Sequence, residues 1–136
     1  QRLSHHEKQF PHWWIKRFFE FGGKEHRLPF DAHTCKALVA PRALVNAHAR
    51  QDHWANPYGT ELTYRAADKV FEWLGANGQQ GIHWRDGGHA QDKEDWLALL
   101  DFADWKFFDK QPERSFSTLT YPDASVPICW DVPMTR

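Results

Sequence analysis

Two short apolar strands separated by an amphipathic helix dominate the middle of this 136-residue chain. Ala43–Ala47 is apolar on both faces, which is typical of a strand buried between two layers of helices. Apolar positions then recur at helical spacing from Pro57 to Leu74, and Gly75 is a natural helix end. Gly81–Arg85 is predicted to be a second short strand. A strand–helix–strand unit predicts two parallel neighbouring strands with a right-handed crossover connection.

Helices are predicted on both sides of this unit. Pro11–Phe21 alternates aromatic and basic residues and is predicted to be a helix that the following glycine pair ends. Asp31 has the character of an N-cap for a short helix through Leu38. Asp92–Phe108 is predicted to be an amphipathic helix with one apolar side, which carries Trp96, Leu97, Leu100, Ala103 and Phe107. Residues 110–136 contain prolines and scattered Ser and Thr, which predicts an extended tail.

The predicted sheet is too small to be stable by itself. Two strands do not make a self-sufficient sheet, so we expect further strands upstream in a longer parent protein. The chain begins at Gln1 and its only methionine is Met134, which indicates an N-terminus made by processing, cleavage or truncation. We therefore predict the α/β class, with residues 1–136 forming the C-terminal part of a single domain.

Charge and composition exclude several classes of partner. The net charge of -1 gives no electrostatic basis for binding nucleic acid or an anionic membrane, so neither is expected as a partner. No apolar run approaches the roughly 20 residues that a membrane span requires. Nine histidines raise the question of a metal, but no H-E-x-x-H or Cys/His ligand spacing occurs. We predict no metal site and no cofactor.

Candidate catalytic residues follow the two predicted strands. Functional groups of parallel α/β sheets collect on loops at the carboxyl ends of strands, and here those loops carry Asp52 and His89. An acid on one loop and a histidine on the next, before a final helix, is the chain order that ends the α/β-hydrolase arrangement. A carboxylate holds such a histidine in the tautomer that accepts a proton from serine. Pattern alone leaves simpler roles open: His89 could cap the final helix, and Asp52 could be an N-terminal helix acid or a turn residue.

Two blocks of the sequence resemble one enzyme family. The blocks that carry the resemblance are FPHWWIKRFFEFGGKEHRLPFDAHTCKALVAPRALVNAHARQDHWANPYG and GIHWRDGGH, which lie in the same order within residues 10–109. They resemble the bacterial glucuronoyl esterases of carbohydrate esterase family 15. The resemblance implies an α/β-hydrolase fold and hydrolysis of glucuronic acid esters, as in lignin–xylan linkages, by a serine, a carboxylate and a histidine without a metal.

The resemblance also implies roles for individual residues. The catalytic histidine of the family falls on His89, and the tryptophan of its D-x-W block, which packs on the uronate sugar, falls on Trp54. The aspartate of that block falls on Asp52, but in many members the triad acid is a glutamate on an earlier strand. Asp52 is therefore predicted as the triad acid, a second acid beside it, or a positioning residue. Asn56 departs from the family, which usually has an acidic residue there.

No serine of this chain has the setting of a nucleophile. Ser4, Ser115, Ser117 and Ser125 all lie outside a glycine-flanked strand–turn–helix elbow. The nucleophile and the oxyanion hole are therefore expected in the remaining N-terminal part of the same enzyme, with which this chain would associate. The predicted substrate is a carbohydrate ester, and the predicted location is secreted or periplasmic, as the family implies.

Two other functions remain open at this stage. A carbohydrate deacetylase could use the same fold, because a fold does not fix the acyl group that is cleaved. A non-catalytic carbohydrate-binding or interaction module could use Trp13 and Trp14 as stacking platforms, although aromatic helices more often pack on a sheet.

Overall fold

A computed structural model describes residues 3–126, 128 and 130–133 of the chain. Its elements, in chain order, are α1 (Leu3–Gln9), α2 (Lys16–Phe19), α3 (Ala32–Ala37), β1 (Leu44–Ala49), α4 (Pro57–Trp73), β2 (Gln80–Arg85) and α5 (Lys93–Phe108). A single 3-10 turn, Glu25–Arg27, lies between α2 and α3. The residues up to Asp31 and those from Ala32 onward form two compact units.

Contacts between aromatic rings organise the first unit. Phe10 stacks on Trp13 with ring centroids 4.3 Å apart, and Trp14 stacks on Phe18 at 4.8 Å. The helix predicted over Pro11–Phe21 is wrong for most of its length, because only α2 is helical there. Aromatic side chains lose rotamer freedom in a helix. Here their rings stack on one another across the turns that follow α1 instead.

The parallel strand pair of the second unit is confirmed. β1 and β2 lie side by side in register from Leu44 opposite Gln80 to Ala49 opposite Arg85, with α4 as the connection between them. β1 begins one residue later and ends two residues later than predicted, and β2 begins one residue earlier. All six residues of β2 are buried, whereas β1 is mostly half-buried.

Helix α4 has the bounds that its sequence pattern predicts, to within one residue at its end. Pro57 occupies its first turn, and the side chain of Asn56 caps it by accepting a hydrogen bond from the Gly59 N–H at 3.1 Å. Asn56 is in the left-handed region at φ 58°, which asparagine tolerates better than most residues. Tyr64 on the buried side of α4 packs against Ile82 of β2.

Helix α5 is confirmed in position, with Asp92 directly before its first residue. Its N-cap, Asp92, and Asp95 form a reciprocal capping box, in which each side chain accepts a hydrogen bond from the backbone N–H of the other residue. The buried residues of α5 are Asp95, Ala98 and Phe102. The apolar residues predicted to share one side of α5 are exposed or half-buried within this chain: Trp96, Leu97, Leu100, Ala103 and Phe107.

The segment after α5 contains neither helix nor strand in its described part, as the extended-tail prediction requires. It nevertheless contributes to the core, because Phe116 is buried against Ala98 and Phe102 of α5. The fully buried carboxylate of Glu61 on α4 accepts hydrogen bonds from the backbone N–H groups of Thr120 and Tyr121. Among the described residues, no helix is both long and apolar enough to cross a membrane.

Candidate active site

The loops that follow β1 and β2 are joined to each other at one edge of the sheet. The backbone N–H of Arg50 donates to the Arg85 carbonyl at 2.9 Å, and that of Gln51 donates to the Gly87 carbonyl at 3.2 Å. The guanidinium of Arg50 also lies 3.2 Å from the carboxylate of Asp86. Because parallel strands end at the same edge of a sheet, these contacts place the two loops side by side.

Asp52 and His89 meet across this pair of loops. Oδ2 of Asp52 lies 2.8 Å from Nδ1 of His89, and Oδ1 accepts a hydrogen bond from the Ala55 N–H at 3.1 Å. Asp52 is only 8% exposed, whereas the side chain of His89 is 65% exposed. An ionised carboxylate can only accept a hydrogen bond, so we assign the proton of neutral His89 to Nδ1, from which it is donated to Asp52. This leaves Nε2 able to accept a proton.

The surroundings of Asp52 keep its carboxylate ionised. Burial by itself raises the pKa of Asp52, but the hydrogen bonds from His89 and Ala55 and the charges of His89 and His48 together lower it below its ordinary value. Asp52 is therefore a permanent hydrogen-bond acceptor for His89 at neutral pH.

Trp54 lies beside the histidine ring. Its ring centroid is 4.7 Å from that of His89, and the two planes meet at 70°, an edge-to-face contact. Trp54 is 42% exposed, so part of its indole surface stays open next to His89. The structure thus brings together all three residues that the sequence singled out.

Two basic groups near the first loop, His48 and Lys36, have environments that the sequence does not indicate. Burial, and then the charge of Lys36, lower the pKa of His48 on β1, which favours its neutral form. Burial also lowers the pKa of Lys36 on α3 to about 8, and its ammonium donates to the Thr60 carbonyl at 3.2 Å. No spacing in the sequence indicates that α3 brings a lysine close to β1.

A buried ion pair behind the histidine loop was also missed. Nε of Arg85 lies 2.7 Å from Oδ2 of Asp95, and the exposed fraction of both side chains is 5%. Arg85 is the last residue of a strand, and Asp95 lies in the first turn of a helix, where acidic residues are common. Nothing in the sequence therefore indicates that these two side chains are in contact. The pair links the end of β2 to the start of α5 on either side of His89.

Comparison with known proteins places this geometry in a family. The family model described as glucuronyl esterase of fungi matches residues 1–75, which is more than half of the chain. The chain belongs to the glucuronyl esterase family. The matched segment includes Asp52 and Trp54, and the glucuronyl esterase resemblance noted from the sequence is thereby confirmed.

Relatives of this glucuronyl esterase chain extend the match beyond residue 75. A carbohydrate esterase from an unknown prokaryotic organism is 36% identical over an alignment of 110 positions, and the match covers 70% of this chain and 26% of that protein. A 4-O-methyl-glucuronoyl methylesterase from Phanerochaete chrysosporium is 36% identical over 78 residues, 57% of this chain and 16% of that protein.

A solved structure matches nearly the whole glucuronyl esterase chain. It is a carbohydrate esterase family 15 glucuronoyl esterase from Caldicellulosiruptor kristjansonii, with a TM-score of 0.89 and 36% identity over 98% of this chain. The match covers 35% of that protein. The fold is therefore part of an α/β-hydrolase fold, and the chain spans about a third or less of the relatives that it matches.

Proposed function

We propose that this chain is the C-terminal part of a serine ester hydrolase that cleaves glucuronate esters of plant cell-wall xylan, the lignin–carbohydrate ester linkages. The observation that carries the proposal is the 2.8 Å contact between Asp52 and Nδ1 of His89, which leaves Nε2 of an exposed imidazole available. Membership of the glucuronyl esterase family supports the substrate class.

The proposed reaction uses His89 as base and then as acid. Nε2 of His89 takes the proton of a serine hydroxyl in the remaining part of the enzyme, as the serine oxygen attacks the ester carbonyl. Asp52 stabilises the imidazolium that forms. The tetrahedral intermediate then expels the alcohol, which receives the proton from His89. Water next attacks the acyl-enzyme with His89 again as base, which releases the glucuronic acid and restores the serine.

Trp54 is proposed to bind the sugar ring of the substrate. Its partly open indole surface lies against His89, so a uronate ring that stacks there would hold its ester carbon close to the histidine. This places substrate binding and proton transfer on adjacent residues of one loop pair.

The remaining part of the enzyme is proposed to cover two features of this chain. The sheet of the described residues has two strands, so the outer edge of β1 can pair with a further strand. Several large apolar side chains of α5 are exposed: Trp96, Leu97, Leu99, Leu100, Phe107 and Phe108. We further propose that the enzyme is secreted or periplasmic, since plant cell-wall esters lie outside the cell that degrades them.

Replacing His89 in the full-length enzyme tests the proposed function. His89→Ala should lower kcat for a methyl glucuronate ester by several orders of magnitude, because no other described group takes its proton-transfer role. The midpoint of thermal unfolding should change little, because the side chain is mostly exposed. Acetylated xylan serves as the comparison substrate: a kcat/KM higher for acetyl than for glucuronate esters would contradict the substrate class.

A further inference from the structure

The loop that carries His89 is built around a single buried guanidinium. Beyond its ion pair with Asp95, Arg85 donates from Nη1 to the Asp86 carbonyl at 3.0 Å and from Nη2 to the Gly88 carbonyl at 3.2 Å. Nη2 also donates to the Ala90 carbonyl. Three carbonyls on both sides of His89 thus point at one side chain that is itself 5% exposed.

We propose that Arg85 is a positioning residue of the esterase site: its guanidinium, fixed by Asp95, holds the 86–90 loop in the shape that keeps Nδ1 of His89 on Asp52. The inference rests on the proposed function for its catalytic consequence. Its structural content, that Arg85 maintains the contact between His89 and Asp52, is independent of which ester is cleaved.

The chemistry of arginine suits this task better than that of lysine. A guanidinium presents five N–H donors in a rigid planar fork, so one side chain can serve a carboxylate and several carbonyls at once. An ammonium is a compact charge with a flexible stem and does not reproduce these fixed directions. Asp95 also accepts from the Asp92 N–H at 3.0 Å as part of the capping box, so the anchor of Arg85 is held by α5.

Gly87 gives a second, independent indication that the loop is shaped around Arg85. An ideal Cβ on Gly87 would lie 2.9 Å from Nη1 of Arg85, closer than real Cβ contacts allow. The residue also has φ +108°, which L side chains rarely adopt. A side chain at Gly87 would therefore push against the guanidinium and change the path of the loop.

The test uses the full-length enzyme with Arg85→Lys, and with Gly87→Ala as a second variant. Gly87→Ala keeps both residues of the ion pair, Arg85 and Asp95, and changes only an exposed loop position. It therefore tests the shape of the loop even if Arg85→Lys does not fold. The matched control is Arg114→Lys, whose Nε contacts Asp101 at the same 2.7 Å outside the site. The measurements are kcat and KM for a methyl glucuronate ester, thermal unfolding, and the NMR signal of the hydrogen-bonded His89 Nδ1 proton.

Both site variants should lose kcat by on the order of 10², because a displacement of about 1 Å at a catalytic group can cost that much. Their KM should stay within about threefold, and the His89 Nδ1 proton signal should weaken or disappear, while Arg114→Lys stays close to wild type in all three measurements. A folded variant that keeps wild-type kcat and an intact Nδ1 signal would overturn the inference. Because the NMR signal needs no turnover, its loss supports the role of Arg85 even if His89→Ala were to refute the esterase.

Discussion

Asp52 and His89 differ sharply in exposure, and that difference suits their proposed roles. A buried carboxylate with both oxygens in hydrogen bonds keeps a fixed direction, whereas the exposed imidazole can meet a group from outside the chain. The lowered pKa of Asp52 adds a pH limit: the pair is intact above the unfolded-state pKa of the carboxyl group, and it is lost as the pH falls through the lower folded-state pKa.

Trp54→Ala in the full-length enzyme tests the residue that lies beside this pair. If its indole stacks on the sugar, KM for a glucuronate ester should rise by roughly five- to 150-fold, the equivalent of about 1–3 kcal/mol; the scale is that of stacking on nucleic-acid bases. KM for a small aryl acetate, which lacks the sugar, should rise much less. Equal losses on the two substrates would instead assign Trp54 a packing role.

The chain order of strands and loops was sufficient to predict that Asp52 and His89 lie together, because parallel strands bring their carboxyl ends to one edge. Trp54 was indicated only by the family resemblance. The chain order was not sufficient for Arg85. The guanidinium reaches Asp95, ten residues later, only because β2 and α5 fold back on each other around the loop. Such contacts depend on the path of a loop, which local propensities do not determine.

At the scale of elements, periodicity predicted the long helices better than it predicted their faces. The bounds of α4 agree with its sequence pattern. Of its apolar positions at helical spacing, Ala66 and Phe71 are buried, whereas Leu62, Val70 and Leu74 are half-buried. α5 has large apolar residues on several sides, and its buried side is instead selected by the Asp95 contact with Arg85 and by Phe102 against Phe116. A pattern of apolar positions cannot choose a face when most faces are apolar.

A substitution of Lys36 tests whether the packing of α3 on α4 buries the charge of this lysine. Its pKa is lowered to about 8 from an ordinary 10.5, so between these values the unfolded chain binds more protons and the stability of the fold rises with pH. Lys36→Met removes a charge that is costly to bury, and should raise the free energy of unfolding by about 1–3 kcal/mol at pH 7. The gain should shrink as the pH approaches 10.5.

Urea unfolding of the full-length enzyme at several pH values measures this effect. Lys69→Met is the matched control, because Lys69 is an exposed lysine of α4, and it should show a pH-independent difference. A gain for Lys36→Met that is the same at pH 7 and at pH 10.5 would mean that charge burial is not its cause.

At the scale of the whole molecule, the chain spans 35% of the Caldicellulosiruptor esterase that it superposes on. The two-stranded sheet of its described residues and the exposed apolar side of α5 are surfaces that a small part of an α/β-hydrolase fold would present. These surfaces, together with the missing setting for a nucleophilic serine, are why the proposed activity requires the remaining part of the enzyme.

Leu100→Glu tests whether the apolar side of α5 is covered or exposed in the full-length enzyme. Leu100 is 60% exposed in this chain, so if that side of α5 is also exposed in the full-length enzyme, the change should alter the free energy of unfolding by at most about 0.5 kcal/mol. If the rest of the enzyme covers that side, as we propose, the change would bury a charge and should lower the free energy of unfolding by more than about 2 kcal/mol. Lys93→Glu, at an exposed position of the same helix, is the control. An effect of Leu100→Glu no larger than that of Lys93→Glu would show that this side of α5 stays exposed.

The catalytic partnership of Asp52 and His89 is tested most directly by the kcat of Asp52→Asn in the full-length enzyme with a methyl glucuronate ester. The asparagine keeps the shape of the side chain but removes the charge that orients His89 and stabilises its imidazolium. If Asp52 is the triad acid, kcat should fall by on the order of 10⁴, the scale observed when a triad carboxylate is neutralised in a serine protease. A fall of roughly tenfold or less, as expected from the loss of a charge that only acts at a distance, would contradict the account and assign the acid to another residue.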